Sequence, residues 1–280
     1  MTLPIPAPEP LPAPVIDSHC HLDITAEYSG LSPAQALDAA ARVGVTGVVQ
    51  VGVDVESSRR SVELAREFDN VVAAVAVHPN EAPRRGSELD NDLQHIAELA
   101  ADPRVVAIGE SGLDHFRTDE SGRAAQERSF RAHINLARRT AKTLVIHDRD
   151  AHTDVLRVLD DEDLPDRIVF HCFSGDAAMA RLCSDAGWYI SFPGVVTFKN
   201  AGELRAAAAV VPPDRMLVET DAPFLTPAPH RGKPNASYLL PWTVLTLSDV
   251  TGIELPELCG QLHANTMAAF AITPELGFTG

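Results

Sequence analysis

The chain has 280 residues, 45% of them apolar, and a formal net charge of −16. That length suits one large core or two small ones. No apolar run approaches the ~18 residues of a membrane-spanning helix, and the acidic balance excludes nucleic-acid binding through a broad basic surface. It leaves room for a pocket made attractive to phosphate by divalent ions and a few local Arg and Lys side chains.

Residues 1–14 are rich in Pro, with no basic start and no apolar stretch of the secretory kind. They are expected to form a flexible arm, disordered or extended, ahead of a single domain at 15–280. From there a short Val- and Ile-rich run alternates with a helix-like stretch. The apolar runs are 15–20, 47–51, 71–77, 105–109, 143–146, 168–170, 188–192 and 216–218. Each is short and nearly continuous in apolar character, as expected for parallel strands buried on both faces. Helices are expected at 31–43, 56–68, 89–100, 122–140, 151–159, 176–186 and 201–210, with two more at 238–251 and 255–270. The first of them has Ser32-Pro33 as its start signal. Eight strand–helix units with no internal linker predict an α/β fold, a TIM (β/α)8 barrel in one domain; a doubly wound open sheet is the competing topology.

The polar residues fall at the carboxyl ends of the apolar runs. Strand one ends in Asp17-Ser18-His19-Cys20-His21, strand four in Gly109-Glu110, and strand five in His147-Asp148-Arg149. Strand six ends in His171-Cys172 and strand eight in Glu219-Thr220-Asp221. In a barrel these ends converge on the face where active sites are built. His19 and His21 are two apart, so their imidazoles share one face. Each residue taken alone has an ordinary reading as a core histidine, a cap or a turn former. Taken together, so many ionisable groups would be costly to bury without a cation. His19, His21, Glu110, His147, His171 and Asp221 supply enough ligands for two divalent ions (Mg, Mn or Zn) about 3.5–4 Å apart, with Glu110 as the carboxylate that bridges them. The cysteines Cys20, Cys172, Cys183 and Cys259 have no framework spacing and no C-x-x-C pair, which points to a reducing compartment such as the cytoplasm. Cys20 and Cys172 read as small buried thiols, with metal ligation as the alternative.

These segments resemble the TatD-type deoxyribonucleases of the amidohydrolase superfamily. The resemblance rests on Ile16-Asp17-Ser18-His19-Cys20-His21-Leu22-Asp23, Val77-His78-Pro79 and Ala107-Ile108-Gly109-Glu110-Ser111-Gly112-Leu113-Asp114. It continues through His147-Asp148-Arg149-Asp150-Ala151, Phe170-His171-Cys172-Phe173-Ser174-Gly175, Glu219-Thr220-Asp221-Ala222-Pro223 and Pro229-His230-Arg231-Gly232-Lys233. It implies that His19, His21, Glu110 and Asp221 hold one ion, and that Glu110, His147 and His171 hold the other. It also implies a DNA substrate, taken as single-stranded ends and shortened from the 3′ end. The chain departs from the family pattern at Asn235-Ala236-Ser237, where Asn-Glu-Pro is common, and at His115, where an aromatic is usual.

On this reading Asp221 and Glu110 are the catalytic carboxylates: the ions activate water, and Asp221 accepts its proton. Arg149, Arg231 and Lys233 are expected to hold phosphate oxygens, a task suited to a guanidinium fork, and His78 to contact substrate or support a ligand. Asp17 and Asp148 are expected to orient ligand histidines from behind. Two other readings stay open: hydrolysis of a different ester, a lactone or an amide on the same site, and a metal-binding scaffold without turnover.

Overall fold

The strands of the computed structural model, which describes residues 3–273 and 276–278, pair in parallel, each with the next in the chain. They are β1 (Val15–Cys20), β2 (Val45–Val51), β3 (Val71–Val75), β4 (Val105–Asp114), β5 (Thr143–Arg149), β6 (Ile168–Phe170), β7 (Tyr189–Phe192) and β8 (Met216–Val218). The helices are α1 (Leu22–Ser29), α2 (Pro33–Ala41), α3 (Val55–Glu67), α4 (Ala82–Arg85), α5 (Leu89–Leu99) and α6 (Glu120–Thr140). After them come α7 (His152–Asp161), α8 (Ala177–Asp185), α9 (Gly202–Ala208), α10 (Leu240–Thr251) and α11 (Leu255–Ala269). This is the expected TIM barrel, in one domain. Among the described residues no helix is long and apolar enough to cross a membrane.

Period-two alternation sorts each strand between two cores. Ile16, Val49, Val72, Ala74, Val145, Val169 and Leu217 meet inside the barrel. Their sequence neighbours, among them Val71, Leu144, Ile146, Ile168, Phe170, Met216 and Val218, pack outward beneath the helices. Phe270, Ile272 and Phe278 of the C-terminal segment join the inner cluster, and Thr143 Oγ1, at the start of β5, donates to Ala269 O at 2.6 Å. The C-terminal segment thus plugs the end where the strands begin and leaves the other end for chemistry.

β8 is only three residues long, and the barrel closes beyond it. Asp221 N donates to His19 O at 2.9 Å, and His21 N to Ala222 O at 2.8 Å. Asp17 reinforces this seam, taking Thr220 N at 2.9 Å on one oxygen and Thr220 Oγ1 at 2.6 Å on the other.

Two features go beyond the sequence reading. Residues 3–14 are extended but not a flexible arm. Ile5 is fully buried; the Tyr238 hydroxyl accepts from its N–H at 3.2 Å and donates to its carbonyl at 2.9 Å. Leu11 N donates to Val43 O at 3.0 Å. An apolar anchor and satisfied backbone groups hold the arm against the barrel. The second is α1, which the sequence pattern did not predict. Its β-branched Ile24 and Thr25 weaken the local helix signal. The helix is set instead by buried Gln50 of β2, whose Oε1 accepts from Leu22 N at 2.5 Å and whose Nε2 donates to Asp23 Oδ1 at 2.9 Å. By contrast α2 begins where Ser32-Pro33 predicts, with a reciprocal capping box between Ser32 and Gln35.

Candidate metal centre

The alternation that fills the barrel also delivers the site. His147, His171 and Glu219 each lie two residues beyond an inward-facing apolar residue, namely Val145, Val169 and Leu217. Their side chains therefore follow the same interior column to its open end. Glu110 arrives differently. The β4–β5 register shifts between Ile108 and Ser111, the kind of irregularity that re-aims a side chain. Glycine is required on both flanks of that shift. Gly109 (φ +148°) would place a Cβ 2.4 Å from Val145 O, and Gly112 (φ +150°) would place one 2.0 Å from His147 O. Cys172 and Asp221 take the left-handed conformation at φ 44° and 53°. Such geometry in non-glycine residues costs about 1–3 kcal/mol and collects at functional sites.

Glu110 sits at the centre of the cluster. Its Oε1 lies 2.6 Å from His147 Nδ1, 2.9 Å from His171 Nε2 and 3.2 Å from His78 Nε2. Its Oε2 is 3.4 Å from His19 Nε2. Asp221 Oδ1 is 3.4 Å from His21 Nε2 and 3.8 Å from His19 Nε2. Three of the imidazoles have a polar group behind them. His21 Nδ1 meets Val51 O at 2.9 Å, His171 Nδ1 meets Glu219 Oε1 at 3.1 Å, and His147 Nε2 is 3.3 Å from Asp114 Oδ2. Asp114 is itself held by Asn80 Nδ2 at 2.9 Å and Arg117 N at 2.8 Å.

The electrostatics follow. Burial alone would raise the Glu110 carboxyl, but His171, His78 and His147 outweigh it and hold the group well below the usual range. Burial opposes charge on His171 and His147 as well. Glu110 and Glu219 nevertheless push His171 well above its ordinary value, and Asp114 and Glu110 raise His147. His21 is lifted to about 9 because Asp221 outweighs desolvation. His19 goes the other way, lowered by burial and by His171, whose ring stacks on it at 3.8 Å. The carboxylates of this cluster demand positive charge, and the stacked imidazoles cannot all supply it as protons. A divalent cation meets that demand and accepts the lone pairs of neutral imidazoles.

The donor set fits one. His19 is fully buried, yet neither ring nitrogen has a hydrogen-bond partner; Glu219 Oε2 is likewise buried without one. Orphaned buried polar atoms of this kind are rare and call for an occupant. Ligand atoms lie close enough to share an ion in His19–His21–Glu110, in His78–Glu110–His147 and in His19–His171–Glu219. Glu110 belongs to two of these groups. Burial pushes the Cys20 and Cys172 thiols well up, so neither is a ready thiolate ligand.

Above the cluster lies a cavity of about 760 Å³. His21, Glu110, His147, His171 and Asp221 line it; the fully buried His19 sits behind them. Arg84, Arg117 and Arg149 supply positive charge in its wall. Several expectations on supporting residues need correction. Arg231 and Lys233 are exposed and outside the lining; Arg231 lies over the Phe198 ring at 4.5 Å. Asp17 touches no imidazole. It spends its hydrogen bonds on the β1–β8 seam and on His19 N, and burial raises its pKa to about 6. Asp148 pairs with His152 at 2.8 Å rather than with a proposed ligand.

Glu219, Asp114, Arg84 and Arg117 were missed. The alternation that singles out His147 and His171 also singles out Glu219; Asp114 ends β4 beyond its register shift, and Arg84 and Arg117 depend on paths after the strands that no periodicity encodes. Asn235, where the family pattern is otherwise broken, is fully buried and clamps the segment carrying Asp221 through Thr220 O at 2.9 Å and Phe224 O at 2.7 Å.

The sequence profile of a family described as TatD related DNase matches residues 16–271. Over 262 residues the chain is 42% identical to an uncharacterized metal-dependent hydrolase TatD of Mycobacterium tuberculosis, covering 92% of this chain and 98% of that relative. It is 39% identical over 261 residues to the uncharacterized metal-dependent hydrolase YcfH of Escherichia coli, covering 92% and 96%. The crystal structure of YjjV, a TatD homolog from Escherichia coli, superposes with a TM-score of 0.84 at 27% identity, over 92% of this chain and 98% of that one.

Proposed function

The chain belongs to the TatD related DNase family and is a metal-dependent hydrolase; on that premise we propose that it cleaves phosphodiester bonds in DNA, shortening single strands stepwise from the 3′ end. The observation that carries the two-ion site is Glu110, shared between two groups of potential ligands beneath the cavity. His19, His21, Glu110 and Asp221 would hold one ion. Glu110, His147 and His171 would hold the other, with His78 within reach of the same group. When bound, the ions polarise a phosphoryl oxygen and acidify water from a pKa of ~16 toward ~7.

The protein supplies the rest. Asp221 is the most exposed carboxylate of the cluster, its side chain 16% accessible against 6% for Glu110. Burial raises its pKa but His21, His171 and His19 outweigh that, so it stays ionised and can accept the proton of the attacking water. Arg149, in the cavity wall, is the guanidinium suited to the non-bridging oxygens. Arg84 and Arg117 reinforce it in a protein whose net charge would otherwise repel a polyanion. Arg231 and Lys233 reach at most the strand outside the cavity. The four free cysteines suit a reducing cytoplasm.

The test is incubation of the protein with 3′-labelled and 5′-labelled single-stranded DNA, with Mg²⁺ or Mn²⁺, beside Asp221→Asn. Metal-dependent stepwise shortening from one end, lost in the variant, supports the reading and gives the polarity. Intact DNA from protein shown to contain metal would move the assignment to a different ester or an amide on the same site.

A further inference from the structure

The rim of the cavity carries aromatic surface that neither the ligand cluster nor the core explains. Among the described residues the exposed large hydrophobic side chains are Tyr28, Phe116, Leu182, Phe224 and Leu245. All three aromatics of that set stand at the mouth of the barrel. Phe224 lines the cavity six residues beyond the end of β8 and is 43% exposed. Its ring meets Tyr28 of α1 edge to face at 5.8 Å and His21 at 6.4 Å. Phe116, 62% exposed, follows β4 by two residues. The Arg149 guanidinium covers one of its faces at 4.1 Å from the centroid.

The strand order makes these two platforms opposite each other. Around an eight-stranded barrel numbered in sequence, the β8–β1 seam and the β4–β5 pair lie half a turn apart. The ligand cluster lies between them. Each platform is held by a neighbour that belongs to the site, His21 on one side and Arg149 on the other.

We propose that the Phe224–Tyr28 and Phe116–Arg149 platforms stack the two bases flanking the scissile phosphate, which makes an unpaired strand end the preferred substrate. The inference rests on the proposed cleavage of single strands and adds the side chains that hold the bases. Aromatic faces accept any base and need no hydrogen-bond code, so sequence preference is weak. Bases in a duplex are already stacked and cannot reach both platforms. The charge pattern agrees: cationic Arg84, Arg117 and Arg149 lie in the cavity with the phosphate, and the uncharged rings lie at its edges with the bases.

The experiment compares single-stranded oligonucleotides that end normally with ones carrying an abasic tetrahydrofuran residue on either side of the cleaved bond. These keep every phosphate and remove one base. The wild type is expected to lose about 5- to 160-fold in kcat/KM for each base removed. In Phe224→Leu and Phe116→Leu, which keep apolar bulk and pass a circular dichroism check of folding, that penalty falls toward one, each variant for one of the two positions. A wild type indifferent to base removal, or variants that keep the full penalty, overturns the proposal while the nuclease assignment stands. A wild type that cleaves no oligonucleotide at all sinks the nuclease assignment and this proposal with it.

Discussion

Glu219 is the residue whose role the geometry adds most clearly, and its replacement gives a graded test. Its Oε1 faces His171 Nδ1 at 3.1 Å and accepts from Cys172 N at 2.8 Å, so one oxygen fixes both the ring and the left-handed turn beside it. Glu219→Gln keeps the shape and an oxygen acceptor but loses the charge. A hydrogen bond to a charged group contributes ~1.5–3 kcal/mol, against ~0.5–1.5 for a neutral one. The difference, about 1–1.5 kcal/mol, corresponds to roughly five- to tenfold in metal affinity. Glu219→Ala removes the acceptor as well and should approach the ~100-fold upper range for residues that orient metal-bound imidazoles. The assay is calorimetric titration of Mn²⁺ or Zn²⁺ into chelator-stripped protein, with circular dichroism to confirm folding. Two folded variants that bind metal like the wild type would refute the reasoning and leave Glu219 with the Cys172 turn alone.

Three further outcomes are expected away from the ligands. His133 is buried, accepts from Val77 N at 3.0 Å, and is driven by burial from its ordinary 6.5 to about 4. Its folded-state value is depressed, so the stability it contributes is present above pH 6.5 and lost as pH falls toward 4. By urea denaturation, His133→Gln should therefore be less acid-sensitive than the wild type by about 3 kcal/mol across that window, and parallel pH profiles would refute this. Tyr238→Phe strands the buried Ile5 N–H and carbonyl and should cost about 1–3 kcal/mol, with limited proteolysis now cutting within the first fourteen residues; unchanged resistance counts against the anchor. Gly112→Ala must displace His147 O, 2.0 Å from the new Cβ. It should destabilise by more than about 2 kcal/mol in chemical denaturation, and a variant as stable as the wild type would show that β4 can relax.

The strands were legible because a parallel barrel strand is buried on both faces and so reads as an unbroken Val and Ile run; even three-residue β6 and β8 stand out this way. The clustering of the proposed ligand histidines was legible because strand ends converge and the chain has few other reasons to place imidazoles there. What escaped has a common cause: the determinant lies far away in sequence. Gln50 fixes α1, Tyr238 fixes Ile5, and the paths of the β3 and β4 loops bring Arg84 and Arg117 to the cavity. Asp17 was misread for a subtler reason. It is two residues from His19 on the same strand, but its neighbour Ile16 faces the barrel interior and the β1–β2 register shifts between Asp17 and Cys20, so alternation does not carry from one side chain to the other. Thr220, across the seam, captures its carboxylate instead.

That capture bears on how the site is built. β8 ends at Val218, and beyond it the barrel is held by Asp221 N on His19 O, His21 N on Ala222 O and Asp17 on Thr220. The seam that closes the barrel is thus the seam that carries three of the proposed ligands. Its backbone amides are spent on the closure, and Asn235 clamps it from outside. Both His19 and His21 on one side and Asp221 on the other are then fixed by backbone bonds before any ion binds. A separation of ligands set by strand pairing leaves little reorganisation for binding to overcome. The same closure explains how so acidic a protein tolerates three buried carboxylates at one point: the groups are held apart by a rigid frame and balanced by imidazoles, poised for cations whose charge would complete the balance.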